Sequence, residues 1–299
     1  MILNTIKCGT NTKDATITPY DVGKSEIGYG VNGKVVGTSP FSYKGEIEKR
    51  MPASARWNSV AYGNNRFVAV AYGSSIAAYS DDGINWTQTT LPVVFYGYSV
   101  TYGNGRFVAV DNNSSIAIYS DDGINWKQTT LPSRFFISVT YGNGKFVAVA
   151  GSISNIAAYS DDGINWTQTT MPTLPSSTNW ISVTYGNGRF VSVAQNTDIA
   201  AYSDDGINWT QTTLPSSASW HSVTYGNGKF VALTTQSNVA AYSDDGINWT
   251  QATLPVSGGW GSVTYGNGRF VVVRAYSSDA AYSDDGINWV QTTLPIEIN

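Results

Sequence analysis

Carboxylate side chains are the groups in this sequence best suited to acid–base chemistry or metal binding. Twelve aspartates belong to six identical copies of Tyr-Ser-Asp-Asp-Gly-Ile-Asn-Trp, the first at residues 79–86 and the last at residues 282–289. The other aspartates of the repeated part are Asp111, Asp198 and Asp279, and the four glutamates lie outside it. Most glycoside hydrolases need two carboxylates at a defined separation, and these three aspartates share no common position. The sequence therefore predicts no catalytic residues and a protein that is not an enzyme.

Histidine and cysteine, which often bind metal ions or act as catalytic bases and nucleophiles, are nearly missing from the sequence. The chain has one histidine, His221, and one cysteine, Cys8. These numbers do not support a histidine or cysteine metal cluster or a Ser-His-Asp triad. We predict no metal and no cofactor. Calcium binding by paired aspartates, such as Asp81 and Asp82, is the alternative.

Charge and hydropathy exclude two classes of partner. Charged residues make up 13% of the chain and the formal net charge is -4, so no broad basic surface is available for nucleic acid or an anionic membrane. A membrane-spanning helix needs about 18 or more consecutive apolar residues, and the sequence contains no such run. We predict neither nucleic-acid binding nor membrane insertion.

The elements that position these residues recur about every 40 residues. The serines that begin the repeated turn are spaced by 40, 40, 43, 40 and 40 residues, at Ser80, Ser120, Ser160, Ser203, Ser243 and Ser283. The pattern of apolar and polar residues in each unit indicates four short strands, and pairs such as Asn227-Gly228 favour type I′ hairpins. Units of this size bury both faces only by stacking on neighbours.

This periodicity predicts an all-β fold. We expect a six-bladed β-propeller of four-stranded antiparallel blades over residues 53–299, and a linear β-solenoid is the alternative. The predicted repeats start near residues 57, 97, 136, 180, 220 and 260.

The repeated turn Ser-Asp-Asp-Gly-Ile-Asn-Trp resembles the Asp box of sialidase-like propellers, although here Asp82 directly precedes Gly83. The resemblance covers about four-fifths of the chain. It implies that the aspartate ties the backbone amides of the turn and that the tryptophan packs between blades. The aspartates implied to be structural are Asp82, Asp122, Asp162, Asp205, Asp245 and Asp285. A sialidase-like glycosidase is the alternative function, but that family pairs a tyrosine nucleophile with a glutamate, and the repeats contain no glutamate.

Differences among the six copies fall on one side of the predicted disc. In an antiparallel blade, the Asn-Gly hairpins and the repeated turns share one face, and the second connections and the linkers between blades share the other. The second face varies and carries aromatic residues beside Ser, Thr and Asn, a combination that suits sugar recognition. The predicted ligand-binding residues are Trp57, Tyr98, Arg134, Phe136, Trp180, Trp220, His221, Trp260, Arg274 and Asp279. For the four tryptophans, the alternative is a place in the core between blades.

Residues 1–52 do not share the repeat and are predicted to form a small β-rich module. Residues 14–18 and 23–38, which contain Asn32-Gly33-Lys34, resemble a short module of phage tail and tail-fibre proteins over about 25 residues. An ordinary hairpin around Asn32-Gly33 is the alternative. The resemblance implies attachment to other phage tail proteins, a homotrimer, and a place in the virion after assembly in the host cytoplasm.

Together these patterns predict a non-catalytic surface-recognition protein. We expect a phage or prophage tail component that binds a host cell-surface carbohydrate, outside the cell, through the variable face of the propeller. A bacterial adhesion or structural propeller with no virion role is a further alternative.

Overall fold

The structure is a computed structural model that describes residues 27–30, 33–36, 51–133, 135–151, 155–176 and 178–294. Their regular structure is β-strand, and none of these ranges holds a helix that could cross a membrane. Two short strands, β1 (Ile27–Gly30) and β2 (Gly33–Val36), form an antiparallel hairpin of their own. Most of the predicted module of residues 1–52 lies outside the described residues, and its boundary stays a prediction.

The repeats form antiparallel sheets in which neighbouring strands follow one another along the chain. The first sheet has six strands: β3 (Trp57–Gly63), β4 (Arg66–Ser80), β5 (Thr87–Gly103), β6 (Arg106–Asp111), β7 (Ile116–Ser120) and β8 (Lys127–Thr130). The second has four: β9 (Phe136–Gly142), β10 (Lys145–Ala150), β11 (Ile156–Ser160) and β12 (Thr167–Thr170). The third has six: β13 (Asn179–Gly186), β14 (Arg189–Ser203), β15 (Thr210–Gly226), β16 (Lys229–Thr234), β17 (Val239–Ser243) and β18 (Thr250–Thr253). The fourth has four: β19 (Trp260–Gly266), β20 (Arg269–Arg274), β21 (Asp279–Ser283) and β22 (Val290–Thr293).

The prediction of six separate four-stranded blades is wrong. Counted as hydrogen-bonded sheets, the repeats described here form four blades, not six. Strand β5 runs without a break from the end of the first repeat into the start of the second, and β15 joins the fourth repeat to the fifth in the same way. Each of these strands merges two repeats into one six-stranded sheet.

The linkers between repeats differ in backbone conformation. The linker inside β5 stays extended, so that Tyr96 pairs with Tyr72 of the preceding connection. Other linkers contain residues in the left-handed region, with φ of 63° at Phe135 and of 80° and 77° at Gly258 and Gly259. These residues lie outside the strands, and the third and sixth repeats form sheets of their own.

The hairpins between the first and second strands adopt the type I′ conformation. Asn104 and Gly105, which join β5 to β6, have φ angles of 47° and 76°. A type I′ turn requires positive φ at both central residues, and Asn-Gly is the dipeptide that adopts it most readily. The first repeat has Asn64 and Asn65 at this position, and both also have positive φ.

The hydrophobic core lies between successive repeats. Val68 and Val70 of the first repeat pack with Val100 and Phe107 of the second in one buried cluster. First strands lie innermost, because β3 contacts β5, β5 contacts β9, β9 contacts β13, β13 contacts β15 and β15 contacts β19. The last strands of the repeats are largely exposed, for example β8, β12 and β18.

A tyrosine of each later repeat packs directly on a glycine of the repeat before it. A Cβ atom built on Gly63 would lie 2.0 Å from the ring of Tyr102, which is far too close for any side chain. The same contact recurs at four further junctions: Gly103 with Tyr141, Gly142 with Tyr185, Gly186 with Tyr225 and Gly226 with Tyr265. Glycine is therefore needed at these positions for close approach of the repeats.

Candidate ligand-binding face

The repeated turns are closed by hydrogen bonds among their own residues. Asp82 Oδ1 accepts the backbone N–H groups of Ile84 and Asn85 at 2.8 and 2.7 Å and the Ser80 hydroxyl at 2.9 Å. Asp82 Oδ2 accepts the Asn85 side-chain amide at 2.6 Å, and the Gly83 N–H donates to Ser80 Oγ at 2.9 Å. The same backbone bonds are made by Asp122, Asp162, Asp205, Asp245 and Asp285. These carboxylates are used to hold the turns.

Hydrogen bonding keeps these carboxylates ionised. Partial burial acts to raise the pKa of Asp205, but the donors on Asn208, Ile207 and Ser203 outweigh it and lower the pKa to about 2. The pKa of Asp162 is also well below its usual range, for the same reason. A carboxylate that accepts several backbone N–H bonds favours its charged form. Such a group is a poor general acid at neutral pH.

The first aspartate of each turn forms an ion pair with the basic residue of the adjacent hairpin. Arg66 Nε lies 2.7 Å from Asp81 Oδ1, and Arg66 Nη1 donates to the backbone carbonyl of Asp122 in the next repeat at 2.7 Å. The Arg66 guanidinium also lies 4.9 Å from the centre of the Tyr79 ring. The corresponding pairs are Arg106 with Asp121, Lys145 with Asp161, Arg189 with Asp204, Lys229 with Asp244 and Arg269 with Asp284.

We call the side of the molecule that carries these hairpins and turns the turn face. Its charged groups are partnered within the protein, including the Asp81 and Asp82 pair considered above for calcium. Across the described ranges, no group of three or more His, Cys, Asp or Glu side chains could hold a metal ion. The opposite side carries the second connections and the linkers between repeats, and we call it the linker face.

Five aromatic residues of the predicted site lie in the core. Trp57, Trp180, Trp220 and Trp260 are 0 or 1% exposed, and Phe136 is 0% exposed. Their rings cannot stack on a sugar, because they fill the space between repeats. The alternative that placed the tryptophans in the core therefore describes the structure. Three of them are fixed further by an indole N–H that donates to the carbonyl four residues earlier, at Ala53, Ser216 and Val256.

Arg274 and Asp279 are brought together in the second connection of the sixth repeat. Arg274 Nη1 lies 2.7 Å from Asp279 Oδ2, and both side chains are partly buried. The backbone N–H of Asp279 also donates to Ser277 Oγ at 3.0 Å. The hydrogen bond from Arg274 is the main cause of the lowered pKa of Asp279. The pair closes this connection, and among the described residues no second carboxylate forms an ion pair with Arg274.

Tyr98 and His221 occupy the same position in the second and fifth repeats, one residue after the start of the first strand. Both are partly exposed at the linker-face end of an inner strand. Burial lowers the pKa of His221, so its imidazole is neutral near pH 7. Arg134 lies outside the described residues, and its place in the site stays a prediction.

A cluster of tyrosines on the linker face is the best-formed group of partly exposed aromatic side chains. The Tyr72 ring meets the rings of Tyr96 and Tyr98 edge to face, with centroids 5.3 and 6.4 Å apart. The Arg56 guanidinium lies 4.6 Å from the centre of the Tyr72 ring. We call Arg56, Tyr72, Tyr96 and Tyr98 the tyrosine cluster. Among the sequence-predicted site residues it contains only Tyr98.

Asp111 positions the part of the linker that carries the cluster. This carboxylate is 1% exposed; its Oδ2 accepts the Tyr96 N–H at 2.9 Å and its Oδ1 accepts the N–H groups of Asn113 and Ser114. Phe95, the residue before Tyr96 in the chain, is fully buried. The backbone of Tyr96 is therefore held by a buried carboxylate, and its ring contacts the ring of Tyr72.

Comparisons with known proteins place the fold. A family model described as a DUF6242 beta propeller domain matches residues 137–259. The chain contains a β-propeller domain, as the sequence predicts. No curated protein sequence matches this chain. The Asp-box resemblance and the phage-tail resemblance are not tested by the family match, and they stay predictions.

Several solved structures share the fold at low sequence identity. Virginiamycin B lyase from Staphylococcus aureus is 14% identical, with a TM-score of 0.71 over 81% of this chain and 85% of that chain. YCF48 from Cyanidioschyzon merolae is 13% identical, with a TM-score of 0.62 over 82% of this chain and 87% of that chain. A structure of YCF48 bound to a D1 peptide is 16% identical, with a TM-score of 0.63 over 81% and 82% of the two chains.

The lyase corrects one prediction. The conclusion that this chain is not an enzyme is wrong as an exclusion, because virginiamycin B lyase is an enzyme with a similar fold. At 14% identity the likeness concerns the fold alone, and it assigns no reaction to this chain. A fold of this kind supports both catalysis and binding, so the function has to be argued from the side chains at its surface.

Proposed function

We propose that this propeller is a recognition protein and that its tyrosine cluster binds a saccharide on a cell surface. The observation that supports the proposal is the contact geometry of Tyr72 with Tyr96, Tyr98 and Arg56, at 5.3, 6.4 and 4.6 Å between ring or guanidinium centres. Tyrosine rings stack on the apolar faces of sugars, and their hydroxyls donate and accept hydrogen bonds.

The position of Arg56 favours an acidic saccharide. Arg56 is exposed, and a guanidinium binds carboxylate or phosphate groups through paired hydrogen bonds. By contrast, the basic residues of the turn face already have aspartate partners, such as Asp81 for Arg66. Arg56 therefore supplies positive charge next to rings that can stack on a sugar.

The experiment compares two variants by their binding to an array of neutral and acidic glycans. Tyr72→Ala combined with Tyr96→Ala removes two rings of the cluster, and we expect affinity to fall roughly tenfold or more. Tyr276→Ala is the matched control. Tyr276 lies in the second connection of the sixth repeat, is 98% exposed and contacts no other aromatic ring among the described residues. Unchanged binding in the double variant, with loss in the control, would refute the assignment.

The proposed setting is a phage or prophage tail that attaches to its host. This part of the proposal rests on the resemblance of residues 14–38 to tail-fibre modules. Single-site affinity for a sugar at a shallow surface is modest, and several copies acting together would strengthen attachment. A homotrimer attached to other tail proteins fits this requirement.

Antibodies raised against residues 53–299 test the setting. We expect them to label the tails of particles induced from the source strain and to reduce adsorption to host cells. Antibodies against an unrelated propeller serve as the control. If purified particles contain none of this chain, the tail assignment is wrong, whereas the glycan array tests saccharide binding independently.

A further inference from the structure

Within the part of the chain that the structure describes, the five junctions between successive repeats are complete, but the outer faces of the first and sixth repeats are not covered. Tyr62 corresponds to the junction tyrosines of the later repeats, yet it is 56% exposed. Gly266 corresponds to the junction glycines, yet a Cβ atom built on it would have nothing within 4 Å. Each face thus lacks the partner that its equivalents have elsewhere in the molecule.

Valines on the same two faces are also uncovered. Val271 of the sixth repeat is 36% exposed, whereas its equivalents in the other five repeats are 0% exposed: Val68, Val108, Val147, Val191 and Val231. Val60 of the first repeat is 41% exposed, whereas its equivalents are 5 or 6% exposed: Val100, Val139, Val183, Val223 and Val263. The exposure is therefore confined to the two ends of the array and is apolar, as in an interface that needs a partner.

The internal junctions define what the missing partner must supply. It needs a glycine to receive the Tyr62 ring and a tyrosine to cover Gly266, as the Tyr-Gly pair does at the end of each internal first strand. Before the first repeat, the sequence has one Tyr-Gly pair, Tyr29-Gly30. These two residues end strand β1, just as Tyr225-Gly226 end the first strand of the fifth repeat.

The hairpin that follows Tyr29-Gly30 is similar to the repeat hairpins. In β1 and β2, Gly30 pairs with Gly33 across a two-residue loop, and Lys34-Val35-Val36 follows. In the fifth repeat, Gly226 pairs with Lys229 across a two-residue loop, and Phe230-Val231 follows. The order Tyr-Gly, two-residue loop, lysine and valine is common to both, with one extra residue before the lysine of β2.

The chain also enters the first repeat in the way that it enters later repeats. Met51 lies six residues before Trp57 and packs against its cluster, and Leu214 lies six residues before Trp220 in the equivalent cluster. The Trp57 indole N–H donates to the carbonyl four residues earlier at 3.2 Å, and Trp220 does the same at 3.1 Å. Residues 51–57 are therefore placed like a linker between repeats.

We propose that the β1–β2 hairpin of the same chain covers the two exposed faces, with β1 placed between β19 and β3. Tyr29 then takes the position of a junction tyrosine over Gly266, and Gly30 receives Tyr62. Residues 37–56 connect the hairpin to Trp57, and an extended chain of this length spans roughly 65 Å. The inference does not depend on the saccharide proposal, and it leaves residues 1–26 for attachment to other proteins.

A double-mutant cycle in the full-length chain tests the proposal by thermal unfolding. We expect Gly266→Val to lower the Tm by roughly 3–10 °C, because a side chain there would collide with the Tyr29 ring. Tyr29→Ala should also lower the Tm, and the combined variant should be no less stable than Gly266→Val alone, since removal of the ring makes room for valine. Thr292→Val, on the exposed last strand β22 of the same repeat, is the control and should leave the Tm unchanged.

Three results would overturn the proposal. An unchanged Tm in both Gly266→Val and the milder Gly266→Ala would mean that the face is uncovered. Coupling of Gly266→Val with Tyr62→Ala instead of Tyr29→Ala would mean that the first and sixth repeats meet each other directly. A mass of two chains in light scattering, reduced to one by Gly266→Val, would assign the face to a second copy.

Discussion

Polar and aromatic side chains lie on both the turn face and the linker face, but they have different partners. On the turn face, Arg66 pairs with Asp81 and Asp82 accepts the backbone of its own turn. On the linker face, Tyr72, Tyr96 and Tyr98 contact one another and remain partly exposed. Side chains that are identical among the repeats are thus hydrogen-bonded within the protein, whereas the rings of the tyrosine cluster remain partly exposed.

The largest effect should come from a junction glycine at the turn face. A Cβ atom at residue 142 would lie 1.9 Å from the Tyr185 ring, so Gly142→Val should cost about 3 kcal/mol of unfolding free energy. Thermal and denaturant unfolding measure the loss. Thr140→Val, two residues earlier in β9, is the control and should change stability by less than about 0.5 kcal/mol. Equal unfolding midpoints for the two variants would contradict the close approach of the repeats.

The two adjacent aspartates of one turn should differ in their contribution. Asp162→Ala removes the acceptor of the Ile164 and Asn165 N–H groups and should cost about 1–2 kcal/mol. Asp161→Ala removes an exposed ion pair with Lys145 and should cost less than about 1 kcal/mol. Glycan binding by both variants should match the unaltered protein. A variant that keeps its Tm but loses its ligand would assign a binding role to the turn face.

The same turns should control stability in acid. The folded pKa of Asp205 is about 2, below the value of about 3.9 for an unfolded aspartate. A group with a lowered folded pKa stabilises the protein above its unfolded pKa, and that stability is lost as the pH falls through the folded pKa. We therefore expect the Tm to fall between about pH 4 and pH 2. Asp205→Asn should make the fall shallower, and an unchanged slope would show that this carboxylate is not responsible.

The smallest effect should come from exchange of one basic residue for another at the turn face. Arg106 pairs with Asp121, but the third and fifth repeats use Lys145 and Lys229 for the same contact. Arg106→Lys should therefore change the unfolding free energy by less than about 0.5 kcal/mol. Arg106→Ala is the comparison, because it also removes the bond from Nη1 to the Asp162 carbonyl. A larger loss in Arg106→Lys than in Arg106→Ala would contradict this interpretation.

The sequence was sufficient to predict the antiparallel strands, because their signals are local. The Asn-Gly loops are set by two neighbouring residues, and Asn104 and Gly105 adopt the expected φ angles. The number of sheets was not predictable in this way. It depends on whether a linker residue pairs with the preceding connection, as Tyr96 pairs with Tyr72. Such pairing is set by contacts between distant residues.

Prediction of the candidate site from the sequence was limited in the same way. Aromatic composition predicted Trp57, Trp180 and the equivalent tryptophans as ligand contacts, but a large apolar side chain at a fixed repeat position is also what a core requires, and they are buried. Tyr72 has no special sequence context. Its place in the cluster follows from strand pairing and from the position of Arg56 above its ring.

The uninterrupted strands β5 and β15 have a mechanical consequence. A force applied through the chain ends would have to break each six-stranded sheet as one unit, whereas the third and sixth repeats can open alone. With repeats of about 40 residues and an extended length near 3.6 Å per residue, the chain should lengthen in steps of roughly 140 and 290 Å. A pulled molecule would thus report, in the sizes of its extension steps, which neighbouring repeats share a strand.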